Sequence, residues 1–369
     1  MYTNQDLDEA VAAGALDATA ATSLRNFLDR DRMAPAVDEE QFRLVTSFND
    51  IFVSIASAIL LFAVAWIGQA IGQALNFVVD GRGPSPLAPL AVAAVAWGLA
   101  TFFTAKRRMA LPSILLLLAF VGGVFATALL TGVFVSGADS LDNNRVLGGI
   151  LAAIAAALAA GAAALHWRHF HVPITVAAGA AAVVGLITAL TVSALGGNDD
   201  SVRTIMLVTS LVLGIAVFLF AMRWDSSDQA RTTRRADVAF WLHLLAAPMI
   251  VHPVFTLLGL NDGNATLGEG LVVVLLYVAI GITALAIDRR ALLVSALAYV
   301  LWALAELFER FGAVELNVAL TAFIIGSSLL LLSAFWSQAR AAVVGPLPEG
   351  LRERLPIVNR ARVTAQPAG

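Results

Sequence analysis

Residues 239–260 read AFWLHLLAAPMIVHPVFTLLGL, an almost unbroken apolar run. A bilayer core about 30 Å thick needs about 20 apolar residues in a helix, so this run is long enough to cross a membrane. The whole chain has the same character, because 59% of its 369 residues are hydrophobic and only 13% are charged. Its mean hydropathy is +0.84, whereas a soluble domain has about 25% charged residues. The composition therefore predicts a membrane protein.

Ten apolar runs of this kind predict an all-α polytopic bundle of about ten transmembrane helices. Charges, Pro, or clusters of Gly, Asn and Asp bound each run and indicate where each helix ends. The fourth run is rich in alanine, and we expect it inside the bundle, where small side chains let helix backbones approach closely. The runs lie at 51–72, 86–105, 112–135, 146–165, 172–195, 204–223, 237–260, 269–287, 291–309 and 315–336.

Arginine and lysine positions predict the orientation, because short loops rich in these residues stay on the cytoplasmic side. With an inside N-terminus, the inside loops carry ten Lys and Arg residues and the outside loops carry four. Both chain ends are then cytoplasmic. The polar, acidic N-terminus has no basic and apolar signal-peptide regions, so we expect no cleaved signal. The chain has no cysteine, which excludes thiolate metal sites and disulfides.

Two smaller segments flank the predicted transmembrane domain, residues 48–337. Residues 1–47 are expected to form a cytoplasmic helical hairpin, with Thr3 and Asp17 as N-caps and a turn at Gly14, followed by an interfacial segment. Residues 1–50 contain ten acidic residues against four arginines, a balance that repels phosphate and excludes a nucleic-acid partner. Residues 338–369 are expected to be a basic, proline-rich tail that is extended or short-helical. Its arginines would suit anionic headgroups, and a disordered tail with no such role is the alternative.

The hairpin sequence LDEAVAAGALDATAATSLRNFL, residues 7–28, followed by a hydrophobic bundle, resembles the N-terminal module of bacterial membrane proteins of the uncharacterised DUF2157 type. Those proteins have a tryptophan-containing segment after their first hydrophobic helices, for which Trp66 is an approximate counterpart. The resemblance covers residues 5–30 and the general layout. It implies a multi-pass protein of the bacterial inner membrane, and it implies no catalytic residues.

Three ionisable side chains lie deep in the apolar runs: His243 and His252 in the seventh run and Glu306 in the ninth. Inserting such a group costs at least ~2.5 kcal/mol, so each needs a partner or water. At about 1.5 Å per residue, His252 lies about 12 Å from the outer end of its run and Glu306 about 9 Å from its outer loop. These depths allow the two to meet, and each charge would stabilise the other. By contrast, His166, His169 and His171 fall in an inside loop and are expected to contact water or headgroups.

The seventh run also contains two prolines, each of which frees a backbone carbonyl four residues earlier and is expected to kink or locally unwind the helix. A discontinuous helix near the membrane centre is typical of transporter binding sites. A kinked packing helix, whose histidines donate to the freed carbonyls, is the alternative. His243 and His252 are nine residues apart and thus on opposite faces of an unbroken helix, so a shared metal site is not expected. The candidate binding residues are His243, Pro248, His252, Pro253, Glu306 and Glu309.

These features favour transport or permeation of a small solute or lipid through a polar site on the seventh and ninth helices. Division of ten helices into five plus five would give the inverted repeat that many transporters use. The alternative is a membrane scaffold or sensor that docks a protein partner through residues 1–47. We find no GxSxG, HExxH or Walker motif, so neither an enzymatic activity nor a cofactor is expected.

Overall fold

The computed structural model describes residues 7, 10–31, 48–137, 139–140, 144–229, 231, 233–259, 267–290, 292–293, 297, 301, 317–353 and 355–356. The chain divides into two compact units, residues 1–42 and residues 43–369. Within the described residues every regular element is helical, as the sequence predicts for an all-α protein.

The first unit contains helix α1, Ala18–Asp31. The carboxylate of Asp17 accepts a hydrogen bond from the backbone nitrogen of Thr19 at 3.2 Å and another from the Thr19 hydroxyl. Gly14 has φ +70°, the left-handed conformation that glycine adopts without strain. The turn at Gly14 and the cap at Asp17 are thus confirmed, whereas Thr3 lies outside the described residues.

Between residues 48 and 257 the second unit is a series of long helices joined by short connections. Asn144 and Asn198 cap two of these helices by accepting hydrogen bonds from backbone nitrogens at 3.1 and 2.9 Å. The helices are α2 Phe48–Ala74, α3 Leu87–Phe103, α4 Ala110–Ser136, α5 Arg145–Phe170, α6 Ile174–Leu195, α7 Asp199–Ser226, α8 Arg234–Leu257, α9 Leu267–Ile287, α10 Asn317–Ala334, α11 Trp336–Val344 and α12 Glu349–Arg352.

Six helices are long and apolar enough to cross a membrane: α2, α4, α5, α6, α7 and α8. Helix α3 and residues 271–287 of α9 are shorter apolar helices, and α10 coincides with the tenth run. The ninth run, 291–309, lies outside the described residues except at 292–293, 297 and 301. The chain is therefore a helical membrane protein with six candidate spans in its described part, and the count of ten stays a prediction.

From α2 to α8, helices that are neighbours in the chain are also neighbours in space. Helix α4 packs against α3 and α5, α5 against α6, and α8 against both α7 and α6. Alanine-rich α5 buries small side chains such as Ala155 and Ala159, as expected for close helix approach. Its opposite face exposes large side chains such as Ile154 and Leu158. The fourth run thus lies at the edge of a packed interface and is not enclosed on all sides.

Large apolar side chains on the outer faces indicate contact with lipid. On α2, Phe62 and Trp66 are each 70% exposed. A soluble monomer rarely exposes a continuous apolar patch of this kind. The face therefore fits the hydrocarbon of a bilayer.

The segment after α10 folds back onto the bundle. It forms the short helices α11 and α12, which confirms the short-helical option for the start of the tail. Arg340, on α11, is only 1% exposed, and its Nη2 donates to the carbonyl oxygen of Pro356 at 2.5 Å. The expected headgroup contact is therefore wrong for Arg340, whereas Arg352 is exposed and residues 354, 360 and 362 lie outside the described residues.

Candidate functional site

A buried carboxylate lies where α7 ends. Asp225, in the last turn of α7, is 1% exposed. Its Oδ2 accepts a hydrogen bond from His243 Nε2 at 2.9 Å and one from Arg289 Nε at 3.2 Å. Its Oδ1 accepts from Arg289 Nη2 at 2.5 Å. A two-pronged contact of this type is the strongest geometry for an arginine–carboxylate pair.

Arg289 joins three segments of the chain. It follows α9, is 3% exposed, and its Nη2 also donates to the carbonyl oxygen of Ala236 in the first turn of α8 at 3.0 Å. The preceding residue, Asp288, has φ +56°, a left-handed conformation that is strained for a non-glycine residue and turns the chain at the end of α9. One guanidinium thus connects α7, α8 and the turn after α9.

A second carboxylate, Asp288, extends the network to α11. Its Oδ2 accepts from Arg231 Nη1 at 2.8 Å, and its Oδ1 accepts from Trp336 Nε1 at 2.7 Å. Arg340 Nε lies 3.9 Å from the same Oδ1. Arg231 also donates to the backbone carbonyls of Ile287 and Asp288 at 3.0 and 3.1 Å. We refer to these side chains together as the ionic cluster: Asp225, Arg231, His243, Asp288, Arg289, Trp336 and Arg340.

The ionic cluster is buried and rich in charge. Its three guanidinium groups contact two carboxylates, and the carboxylate of Asp237 also interacts electrostatically with Arg289. Burial of a charge is costly unless it is paired and hydrogen-bonded, and removal of one partner of a buried pair typically costs about 3–5 kcal/mol. The cluster is therefore either a functional site or a clamp that sets how four segments meet.

Among the predicted site residues that the structure describes, only His243 lies in the ionic cluster. Its side chain is fully buried, and its ring centroid is 5.2 Å from that of Phe218. Its Nδ1 is buried and has no hydrogen-bond partner within the described part of the chain. One nitrogen of the imidazole thus bonds to Asp225, while the other is buried without a hydrogen-bond partner among the described residues.

The other predicted residues on α8 lie elsewhere. His252 and Pro248 are exposed on the outer side of the helix, whereas Pro253 is buried. The expected rotation of His243 and His252 onto different faces is therefore correct. Helix α8 continues without interruption through both prolines, so the expected local unwinding is wrong.

Glu306 and Glu309 lie outside the described residues, and the proposed pairing of Glu306 with His252 therefore stays a prediction. Among the three histidines expected to contact water or headgroups, His169 and His171 are exposed. His166 is fully buried, so that expectation is wrong for it. Its Nδ1 lies 3.2 Å from Thr175 Oγ1, and its ring packs on Phe170 with centroids 4.6 Å apart.

Neither carboxylate of the ionic cluster is among the residues predicted from the sequence. Arg231 and Arg289 are two of the ten basic residues of the predicted inside loops, and each is bonded to a buried carboxylate. A usable signal existed, because Asp225 and Asp288 each directly follow a long apolar run and lie close to arginines in the sequence. An acid at that position either reaches water or bonds to a cation from a neighbouring segment.

The side chains that make up the ionic cluster form a polar site that contains no nucleophile of the serine or cysteine type. A carboxylate bonded to imidazole can accept a proton, and a guanidinium can exchange its carboxylate for another anion. No group of three or more potential metal ligands occurs among the described residues. Comparison of the chain with protein-family models, with curated proteins and with solved structures gives no match in any of the three.

Proposed function

We propose that this chain is a ten-helix membrane protein that transports a small solute, and that the ionic cluster closes one end of its pathway. The observation that carries the proposal is the position of Asp225, which is buried and bonded at once to His243 and Arg289 from two other segments. Ionisable groups that face one another within membrane-spanning helices are most often part of a solute or proton pathway.

The proposed orientation places the ionic cluster at the cytoplasmic end of the bundle. With both chain ends inside a bacterial inner membrane, α7 ends and α8 begins on the cytoplasmic side. Arg231 and Arg289 still count toward this orientation, since the positive-inside rule depends on basic residues and little on acidic ones.

The cluster would act as a gate because its arginine–carboxylate and histidine–carboxylate contacts cross between segments. Opening this end requires Arg289 to leave either Asp225 or the carbonyl oxygen of Ala236. An anionic solute could compete with Asp225 for the guanidinium, and a proton on Asp225 would weaken the same bond. Because guanidinium groups bind carboxylates and phosphates well, a small organic or inorganic anion is the solute that suits this end.

Ala247 provides a test of the gate. It lies one helical turn beyond His243 on the same face of α8 and is fully buried. The chain has no cysteine, so Ala247→Cys introduces a single thiol. We expect slow labelling of this thiol by a water-soluble maleimide in membranes, and labelling at least tenfold faster when Arg289→Gln is added.

The matched control is Arg235→Gln, which removes an exposed arginine at the same end of α8 and should leave the labelling rate unchanged. Swelling of proteoliposomes in isosmotic acetate, lactate, glycerol and urea then tests transport directly. The proposal is overturned if the thiol reacts only after denaturation in both backgrounds, or if no solute in the panel enters faster than into protein-free liposomes.

A second candidate function is a scaffold or sensor that docks a partner through its acidic N-terminal segment. The compact unit of residues 1–42 and the resemblance to DUF2157-type proteins favour it. A photocrosslinker placed at position 25 of the full chain should then capture a protein partner in cells, and deletion of residues 1–42 should stop the partner from copurifying, while abundance and Ala247→Cys labelling stay unchanged. Loss of solute uptake after the same deletion would argue against a separate docking role.

A further inference from the structure

An apolar cavity opens beside the ionic cluster. Its volume is about 160 Å³, and Trp336 and Arg290 lie at one end of it. The remaining wall is mainly leucine, from the segment after α9 and from α10: Leu293, Leu297, Leu329 and Leu332. The lining of the cavity therefore suits an alkyl chain, and the guanidinium of Arg290 lies at its polar end.

Arg290 and Trp336 form the polar end together. The guanidinium carbon of Arg290 lies 4.9 Å from the centre of the Trp336 ring. The indole nitrogen of Trp336, Nε1, donates a hydrogen bond to Asp288 Oδ1 at 2.7 Å. The Trp336 ring is thus hydrogen-bonded to Asp288 through its nitrogen, and the Arg290 cation lies over the face of the ring.

We propose that this cavity binds an anionic phospholipid of the surrounding leaflet, with an acyl chain against the leucines and the phosphate at Arg290. Tryptophan and arginine are favoured at the level of lipid headgroups, where one end of the side chain is apolar and the other wet. A neutral lipid makes the same apolar contacts with the leucines but is attracted less strongly to the Arg290 guanidinium.

The site is coupled to the ionic cluster through Trp336. A phosphate that draws the Arg290 guanidinium away from the ring also changes the environment of the indole that bonds Asp288. The inference stands independently of solute transport, because a lipid bound here also stabilises a scaffold or a sensor.

The test is competition between phosphatidylglycerol and phosphatidylcholine for the full chain. The chain is released from mixed micelles that contain equal amounts of the two lipids, and bound lipid is measured by mass spectrometry. We expect roughly a fivefold excess of bound phosphatidylglycerol, the equivalent of about 1 kcal/mol per basic residue near an anionic headgroup. Arg290→Gln should remove this preference, and Arg235→Gln, at an exposed arginine of the same end of the bundle, should retain it.

A second variant separates the cavity from simple charge attraction. Leu332→Trp fills the cavity but keeps Arg290, so the amount of bound lipid should fall while the chain stays folded by size-exclusion chromatography. Equal binding of both lipids to the unchanged chain overturns the proposal. So does equal loss of preference in Arg235→Gln, or full phosphatidylglycerol binding in Leu332→Trp.

Discussion

The hydroxyl of Ser210 on α7 donates to the carbonyl oxygen of Met249 on α8 at 3.3 Å. That carbonyl has lost its normal partner, because Pro253 lies four residues later and has no backbone N–H. A neighbouring helix thus supplies the missing donor, which explains how α8 stays helical through a proline inside the membrane. Histidine was the expected donor, and a serine performs this role at Met249.

Ser210→Ala should destabilise the fold, because it leaves the Met249 carbonyl without its donor. Hydrogen bonds between membrane helices average about 0.6 kcal/mol and reach about 1.7 kcal/mol. We expect a loss in the upper half of this range, measured by unfolding in mixed detergent micelles. Ser328→Ala is the matched control, since Ser328 is exposed and, within the described part of the chain, bonds to Ile324 of its own helix. Equal losses in the two variants would mean that the Ser210 bond contributes no specific stability.

Asp225→Ala should be far more damaging than loss of an exposed carboxylate. It leaves the buried Arg289 without its counter-charge, a change that costs about 3–5 kcal/mol. Asp199 pairs with Arg145 at 2.5 Å, but the two side chains are 90% and 55% exposed, so Asp199→Ala should cost at most about 1 kcal/mol. The same micellar unfolding measurement compares the two variants, and similar losses would show that the Asp225 pair is not effectively buried.

The paired replacement Asp225→Leu with Arg289→Met separates stability from function. Apolar residues of similar volume often replace a buried ion pair at no cost, so the double variant should recover most of the stability lost in Asp225→Ala. If the cluster is a gate, however, Ala247→Cys labelling should be faster in the folded double variant. Labelling as slow as in the unchanged chain would identify the cluster as a structural clamp.

The sequence predicts the helical membrane class well, because a run of about 20 apolar residues has few alternatives. It also locates the cap at Asp17, since capping depends on residues adjacent in the chain. The ionic cluster was only partly predictable. His243 stands out within an apolar run, whereas Asp225 and Arg289 lie at run ends and look like interfacial charges. Whether such a side chain meets water or a neighbouring segment depends on tertiary packing, which single-sequence patterns do not contain.

The cap at Asp17 should weaken in acid. The Thr19 hydroxyl donates to the Asp17 carboxylate and holds the pKa of that carboxyl below its usual 3.8. A lowered pKa means that the stabilisation is complete above the unfolded value and is lost as pH falls through the folded value. Carbon-13 chemical shifts of Ala18, Ala20 and Ala21 in the labelled full chain should report this fraying. Asp17→Asn, which also caps, should remove the pH dependence, and its persistence would assign the titration to another group.

Close contact between α7 and α8 depends on Gly214. A Cβ at this position would lie 2.9 Å from the Cβ of Met249 and 3.0 Å from Cγ1 of Ile250, which is closer than such atoms normally approach. Gly214→Ala should therefore push the helices apart and cost about 1–3 kcal/mol. Gly161, in α5, has no such neighbour within 4 Å among the described residues. Gly161→Ala should therefore leave the stability of the fold unchanged or raise it by up to about 1 kcal/mol, because alanine has the higher helix propensity. Because the Ser210 bond also needs this approach, Ser210→Ala should cost less in the Gly214→Ala background than alone, and strictly additive losses would show that the two contacts are independent.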